Sequence, residues 1–146
     1  MALKQSAWAQ GALQAPTSRE GGGVVVEKYK YITEGNLASG DIIELGILPA
    51  FHSIVGAILI TDAMGASVTA DVGIMSGEVG STDPARTCGS EIYAAADVAA
   101  AGATRNTKVD GFRLAPVEAH RSVGVKLGAA VTGAGKVVEL ILFTKQ

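Results

Sequence analysis

The sequence contains one cysteine, Cys88, two histidines, and few aromatic residues, which make up 5% of its 146 residues. A single cysteine excludes a disulfide within the chain and a zinc site built from several cysteines. Charged residues reach only 18%, the formal net charge is -2, and the two signs are scattered along the chain. Nucleic acid and an anionic membrane surface are therefore not expected as partners, because clustered lysine and arginine bind both.

Residues that could support catalysis or hold a metal are also sparse. His52 lies in a turn and His120 in the segment VEAHRS, and neither has a partner at the spacing of a metal site or a general base. Cys88 does not follow a strand-to-helix turn that would lower its thiol pKa, which favours a half-buried structural thiol. We therefore expect no enzyme activity, no catalytic residues, no cofactor and no metal site.

The longest apolar run, IIELGILPAFHSIVGAILI at residues 42–60, is long enough to cross a bilayer. Glu44, Pro49 and His52 interrupt it. These residues disfavour a membrane helix, because a single membrane-spanning helix rarely contains a carboxylate or a proline that removes a backbone hydrogen bond. We predict instead two strands separated at LPAF, with Glu44 at an outward or interface position and His52 at the start of the second strand.

Glycine and small or β-branched apolar residues are abundant, and short apolar runs alternate with turn signals. Tyr29 and Tyr31 alternate with Lys28 and Lys30, which is the period of a strand. This pattern predicts an all-β fold, an antiparallel β-sandwich or jelly-roll-like barrel with at most one short helix. The predicted strands cover residues 24–33, 42–48, 53–61, 68–75, 111–115, 122–128 and 137–144, and the alanine-rich segment 91–101 is predicted to be the helix.

Residues 1–23 differ from the rest of the chain and are predicted to form an extended N-terminal arm before a single β-sandwich domain at residues 24–146. They contain the only tryptophan, Trp8, and end in three glycines that favour a flexible joint. A tryptophan in an arm without its own core either docks on another subunit or folds back on its own sandwich. Tyr29, Arg86 and Arg121 are further candidates for subunit contacts.

Five strings, taken in order, resemble the head decoration (capsid cement) proteins of tailed bacteriophages. They are SGDIIELGILPA, TADVGIMSGEVG, ARTCGSEIY, FRLAPVEAHRSVGVKLGA and VVELILFTKQ. The resemblance begins near Tyr29 and covers the N-terminal arm least. It implies a β-sandwich or jelly-roll domain that assembles as a homotrimer and binds the outside of an icosahedral shell made of the major capsid protein. It implies no catalysis, so no catalytic residue is carried over.

The expected location is the outer surface of the capsid in the virion, after synthesis in the host cytoplasm, since residues 1–13 lack the continuous apolar run of a secretory signal. Two alternatives stay open. One is a structural component of a tail or head fibre. The other is a cupin-like β-barrel that binds a small molecule with His52, His120 and either Glu44 or Glu118.

Overall fold

The computed structural model describes residues 1–15 and 23–146, which form strands and one short helix. The elements are β1 (Leu3–Gln5), β2 (Val24–Ile32), β3 (Ile42–Leu48), β4 (Ser53–Thr61), β5 (Thr69–Ile74), β6 (Tyr93–Asp97), β7 (Gly102–Arg105), α1 (Val109–Phe112), β8 (Arg121–Leu127) and β9 (Val137–Lys145). The glycine joint predicted at residues 21–23 lies mostly outside the described residues.

The strands form two sheets that pack face to face. Sheet A has the order β1-β3-β8-β5-β6, and sheet B has the order β2-β9-β4-β7. Neighbouring strands are antiparallel, except that β1 pairs with β3 in parallel. Aliphatic side chains from both sheets fill the space between them, with Leu45, Val125, Ile54 and Leu140 among the most buried. The predicted all-β sandwich is confirmed.

The long apolar run forms β3 and β4 with the predicted bounds, and a turn at Pro49 and Ala50 separates them. Because proline cannot donate a backbone hydrogen bond, it fits the end of a strand better than its interior. Every residue of β3 is buried, whereas in β4 buried residues alternate with more exposed ones except at the register shift between Ile54 and Gly56. In the described part of the chain, no helix has the length and apolar character needed to cross a membrane.

The predicted helix at residues 91–101 is wrong, because this segment contains β6. Tyr93 is the reason. Its side chain is buried, its hydroxyl donates to the Thr104 carbonyl oxygen at 2.6 Å with the Ala57 carbonyl oxygen also within 3.0 Å, and it accepts from the Leu59 N–H. These bonds join sheet A to the backbone of sheet B. A cross-sheet anchor of this kind outweighs the intrinsic helix propensity of the neighbouring alanines, which amounts to only a few tenths of a kcal/mol per residue.

The predicted strand at residues 111–115 is also wrong, because the chain makes the short helix α1 there. The Arg113 N–H donates to the carbonyl oxygens of Val109 and Asp110, which closes a helical turn. Gly111 is buried, and a Cβ atom at this position would lie 3.0 Å from the Glu91 carbonyl oxygen. The segment therefore packs its backbone against the end of the loop before β6.

Sequence reasoning did not assign β1 and β7 as strands. β1 extends sheet A, and the Ser6 N–H continues it by donating to the Glu44 carbonyl oxygen at 2.8 Å. The following turn places Trp8 edge-on against Tyr29, with ring centroids 5.1 Å apart. Trp8 therefore folds back on its own sandwich, one of the two positions considered for it, and is partly buried there.

Candidate functional site

Both histidines support the turn between β3 and β4. The Ala50 N–H donates to His120 Nδ1 at 3.0 Å, and His52 Nδ1 lies 2.9 Å from the Ala50 carbonyl oxygen. Glu44 forms an ion pair with Arg86 and accepts a hydrogen bond from the Gly80 N–H, and Glu118 is exposed. Among residues 1–15 and 23–146, no group of three or more His, Cys, Asp or Glu side chains is placed to hold a metal ion. The four residues considered for a cupin-like site therefore do not form one.

A buried ion pair joins β3 to the loop between β5 and β6. Arg86 Nη1 lies 2.9 Å from Glu44 Oε2, and both side chains are almost fully buried. Glu44 also accepts hydrogen bonds from Gln5 Nε2 at 2.6 Å, from the Gly80 N–H at 3.0 Å, and from the Ser122 hydroxyl. The Glu44 side chain points away from the core between the sheets, as an outward position requires, but it is not accessible at the surface because the loop covers it.

All three nitrogens of the Arg86 guanidinium also donate hydrogen bonds. Nε donates to the Ser76 carbonyl oxygen at 2.7 Å, Nη1 to that of Ser81 at 2.9 Å, and Nη2 to the Ser122 hydroxyl at 2.8 Å. Burial by itself raises the pKa of Glu44, but the hydrogen bonds to its carboxylate, led by the one from Arg86, outweigh burial and lower the pKa. The pair is thus ionised at neutral pH, and it holds the loop on sheet A.

Glycines allow the same loop to lie close against sheet A. A Cβ atom at Gly124 would lie 2.6 Å from Met75 Sδ and 3.1 Å from Cys88 Sγ, and one at Gly73 would lie 2.5 Å from the Gly89 backbone. Burial is the largest cause that raises the pKa of the Cys88 thiol to about 12, so the thiol is not a nucleophile at neutral pH. The chain's own loop therefore covers this part of sheet A, and Cys88 belongs to the covering layer.

The four candidate contact residues occupy different environments. Tyr29 is fully buried and its hydroxyl donates to the Ile47 carbonyl oxygen at 2.6 Å, and Arg86 belongs to the ion pair. Neither side chain is accessible at the surface of the chain. Trp8 and Arg121 are partly exposed, and burial lowers the pKa of Arg121. Contact roles for Trp8 and Arg121 stay predictions.

Sheet B presents an outward apolar face that is exposed along β2 and half-buried along β4 and β9. Because side chains alternate along a strand, the residues that do not point into the core point outward together. We define the outer face of sheet B by its apolar members, which are Val24, Val26, Ile32, Ile58, Ile60, Val137, Ile141 and Phe143. The three members on β2 are 56%, 53% and 49% exposed. Sequence reasoning missed this face.

The size of this face can be estimated from its strands. Its three long strands have nine residues each, so the face is roughly 30 Å long and 14 Å wide, or about 400 Å² in plan. The largest apolar patch on an ordinary monomer measures about 300–600 Å² and often has a function. The outer face of sheet B lies within this range and is therefore a candidate surface for contact with another protein.

Five charged residues flank the apolar members. Lys28, Lys30, Lys145 and Arg105 share the face by their strand register, as does Glu139. Lys28 Nζ lies 3.0 Å from a carboxylate oxygen of Glu139, and Lys30 Nζ lies 3.9 Å from the other. Four cations against one carboxylate give the face a net charge of +3. Because the whole chain carries -2, the rest of the chain carries -5.

The turn between β3 and β4 exposes an aromatic side chain on a strained backbone. Phe51 has φ of 63° and is 52% exposed. Hydrogen bonds fix the turn, from the Phe51 N–H to the Val117 carbonyl oxygen at 2.8 Å and from the His52 N–H to that of Pro49 at 3.2 Å. A left-handed φ is unfavourable for a bulky residue, and strain of this kind is found most often at functional positions.

No protein-family model and no curated protein matches the sequence, whereas solved structures do. A chain in the capsid of Ralstonia phage GP4 is 44% identical and superposes with a TM-score of 0.94, and the match covers 99% of this chain and 98% of that one. A chain in the capsid asymmetric unit of cyanophage Pam1 is 22% identical with a TM-score of 0.64, and the match covers 92% and 93%. The second likeness concerns the fold alone.

Proposed function

This chain belongs to the protein family represented in the capsid of Ralstonia phage GP4 and is a structural phage head protein, and we propose that it decorates the outer surface of the capsid shell as a homotrimer. In this role it is a cement protein whose partners are the major capsid protein and two further copies of itself. It performs no catalysis.

The observation that carries this proposal is the outer face of sheet B. A domain whose own core is complete still presents eight apolar side chains on one flat face, which favours association through that face. The buried Glu44–Arg86 pair supports the proposal in a second way. It fixes a covering loop in place and offers no accessible chemistry, as expected of a structural protein.

The strained turn supports a separate contact with the shell. Phe51 projects from a turn that hydrogen bonds hold in place, so its side chain loses little conformational freedom when a partner covers it. Exposed aromatic residues are frequent anchors of protein interfaces. We therefore assign Phe51 to the shell and the outer face of sheet B to contacts between copies.

Cement proteins of this kind act mechanically. A trimer that contacts several shell subunits adds interfaces that must break before the shell ruptures. Binding that occurs only on the intact shell stabilises that shell by mass action, by about 2.7 kcal/mol for each site when the free protein is at 100 times its dissociation constant. The effect rises with the logarithm of concentration, which distinguishes it from non-specific crowding.

Reconstitution on heads tests the proposal. Cognate heads assembled without this protein would be mixed with increasing amounts of the purified chain, and the temperature of DNA release would be recorded with an intercalating dye. We expect saturable binding and a release temperature that rises with protein concentration up to saturation. Heads that bind the protein but rupture at an unchanged temperature would contradict the cement role, and heads that do not bind it would contradict the shell contact.

A further inference from the structure

We propose that the turn at residues 49–52, which carries Phe51, is sensitive to pH, and that protonation of His120 loosens this turn and weakens its contact with the shell. His120 ends the loop at residues 113–120, which lies against the turn. This inference rests on the proposed contact between Phe51 and the shell, and it states how acid regulates that contact.

The hydrogen bond from the turn to His120 requires a neutral imidazole. The Ala50 N–H donates to His120 Nδ1 at 3.0 Å, so this nitrogen carries a lone pair and no proton. In a protonated imidazole both ring nitrogens are donors, and two N–H groups would face each other. His120 is exposed, so its ring exchanges protons with the solvent. The bond is therefore present where His120 is neutral and is lost as the pH falls and the ring gains its charge.

His52 does not replace the bond that acid removes. His52 Nδ1 lies 2.9 Å from the Ala50 carbonyl oxygen and donates to it, which leaves Nε2 as the nitrogen that can take a further proton. Nε2 is buried and has no hydrogen-bond partner in the described part of the chain. A proton on Nε2 would thus find no acceptor, and the turn gains no compensating hydrogen bond from this ring.

The charged groups near the two rings do not hold a protonated His120 in place either. By sequence and strand register, they are Glu118 in the loop, Arg121 at the start of β8, Lys145 at the end of β9, and Glu91, whose charge acts on Arg121. Within residues 1–15 and 23–146, no carboxylate forms an ion pair with either histidine. A charged His120 therefore has no counter-ion that would keep it against the turn.

The backbone of the turn favours its release. Phe51 has φ of 63°, and a bulky residue keeps this left-handed conformation only where the surrounding structure holds it. Two hydrogen bonds join the turn to the loop at residues 113–120. One is the bond to His120, and the other runs from the Phe51 N–H to the Val117 carbonyl oxygen at 2.8 Å. Loss of the first leaves Phe51 less fixed, and a less preorganised contact residue binds more weakly.

Binding of the full chain to heads at two pH values tests the proposal. Cognate heads assembled without this protein would be titrated at about pH 7.5 and at about pH 5.5, on either side of the range in which histidine ordinarily gains its charge. We expect the dissociation constant of the wild-type chain to rise about three- to tenfold at the lower pH, the effect of one net hydrogen bond. An unchanged dissociation constant overturns the proposal.

Two variants assign the effect to His120. His120→Asn offers a side-chain oxygen roughly where Nδ1 lies, and this oxygen can accept from the Ala50 N–H at either pH. We expect this variant to bind heads equally well at both pH values. Glu118→Gln, at an exposed carboxylate in the same loop, is the matched control and should keep the wild-type response. All variants bind the same heads, so effects of acid on the shell are common to them. If acid weakens binding of His120→Asn as much as that of wild type, the proposal is wrong.

The Ala50 amide reports on the bond without heads. Hydrogen exchange measured by NMR gives its protection factor, which compares its exchange rate with that of an unstructured chain at the same pH. We expect this factor to fall about three- to tenfold on acidification of the wild-type chain and to stay constant in His120→Asn. The Val131 amide, which donates to the Leu37 carbonyl oxygen at 2.9 Å, should stay constant in both. An Ala50 amide equally protected at both pH values in the wild-type chain contradicts the proposal.

Failure of this inference can be told apart from failure of the proposed function. If the Ala50 amide responds to acid only when His120 is present, but the chain binds heads at neither pH, the pH-sensitive turn stands and the cement role is wrong. If heads bind the chain equally well at both pH values and the protection of Ala50 is constant, the cement role stands and the pH-sensitive turn is wrong.

Discussion

Replacing Arg86 by methionine should remove a large part of the protein's stability. The substitution keeps much of the side-chain volume but leaves the Glu44 carboxylate, which is fully buried, without its counter-ion. Removing one partner of a buried pair costs about 3–5 kcal/mol, because the remaining charge is desolvated and uncompensated. Whole domains are stable by only about 5–15 kcal/mol, so the expected loss is a substantial fraction.

This loss can be measured as a shift in melting temperature. For a chain of 146 residues, a loss of 1 kcal/mol lowers Tm by roughly 3–4 °C, so Arg86→Met should lower it by about 10–20 °C. Urea unfolding followed by Trp8 fluorescence gives the free energy of unfolding directly. All variants must be compared at one protein concentration, because association makes the apparent stability depend on concentration.

Two further variants separate the ion pair from general effects of the substitution. Asp110→Asn breaks a largely exposed ion pair with Lys108, outside the outer face of sheet B, and should cost at most about 1 kcal/mol. Glu44→Leu combined with Arg86→Met removes both charges, and we expect it to be more stable than Arg86→Met alone. If the free energy of unfolding of Arg86→Met is within about 1 kcal/mol of that of Asp110→Asn, the reasoning about the buried pair is refuted.

Three other predictions concern single side chains. The pKa of Glu44 is lowered from its usual 4.5 in the folded chain. The carboxylate therefore contributes to stability above about pH 4.5, and this contribution is lost as the pH falls through the pKa of Glu44 in the folded state. The difference in free energy of unfolding between wild type and Glu44→Gln should shrink over that range. Cys88 is half-buried and its pKa is raised to about 12, so it should react with iodoacetamide at pH 8 many times more slowly in the folded chain than in urea, and equal rates would contradict the raised pKa. Phe51→Gly removes left-handed backbone strain and should change Tm by only a few degrees, but it should weaken binding to heads. Phe112→Ala, at another exposed aromatic residue, should leave binding to heads unchanged. Equal effects of the two variants on head binding would argue against the shell contact.

Much of the fold could be predicted because most strands follow the period of two. In β2, buried tyrosines alternate with exposed lysines, and in β9 the inward residues alternate with half-exposed ones. The prediction for the alanine-rich segment was wrong because the conformation of this segment depends on Tyr93, whose hydrogen-bond partners lie in the other sheet. β1 was not predicted, because three residues are too few to show a period and the strand forms by pairing with β3. Interactions distant in sequence decided both cases.

The candidate site was harder to predict. The position of Glu44 depends on Arg86, which a long loop brings back over β3, and the spacing of the two in the sequence carries no signal of this kind. The outer face of sheet B did have a signal. β4 and β9 contain apolar residues both at the positions that point into the core and at the alternate positions that point outward. This is expected when both faces of a strand are to be buried. The long apolar run that raised the question of a membrane span thus belongs partly to the core and partly to the outer face.

Electron cryomicroscopy of heads tests the central claim most directly. Cognate heads assembled without this protein would be imaged before and after the purified chain is added. The proposal predicts added density on the outer surface of the shell, in threefold clusters into which the sandwich fits with Phe51 toward the shell. Density confined to the tail or to the inner surface, or heads that look the same before and after addition, would contradict the claim.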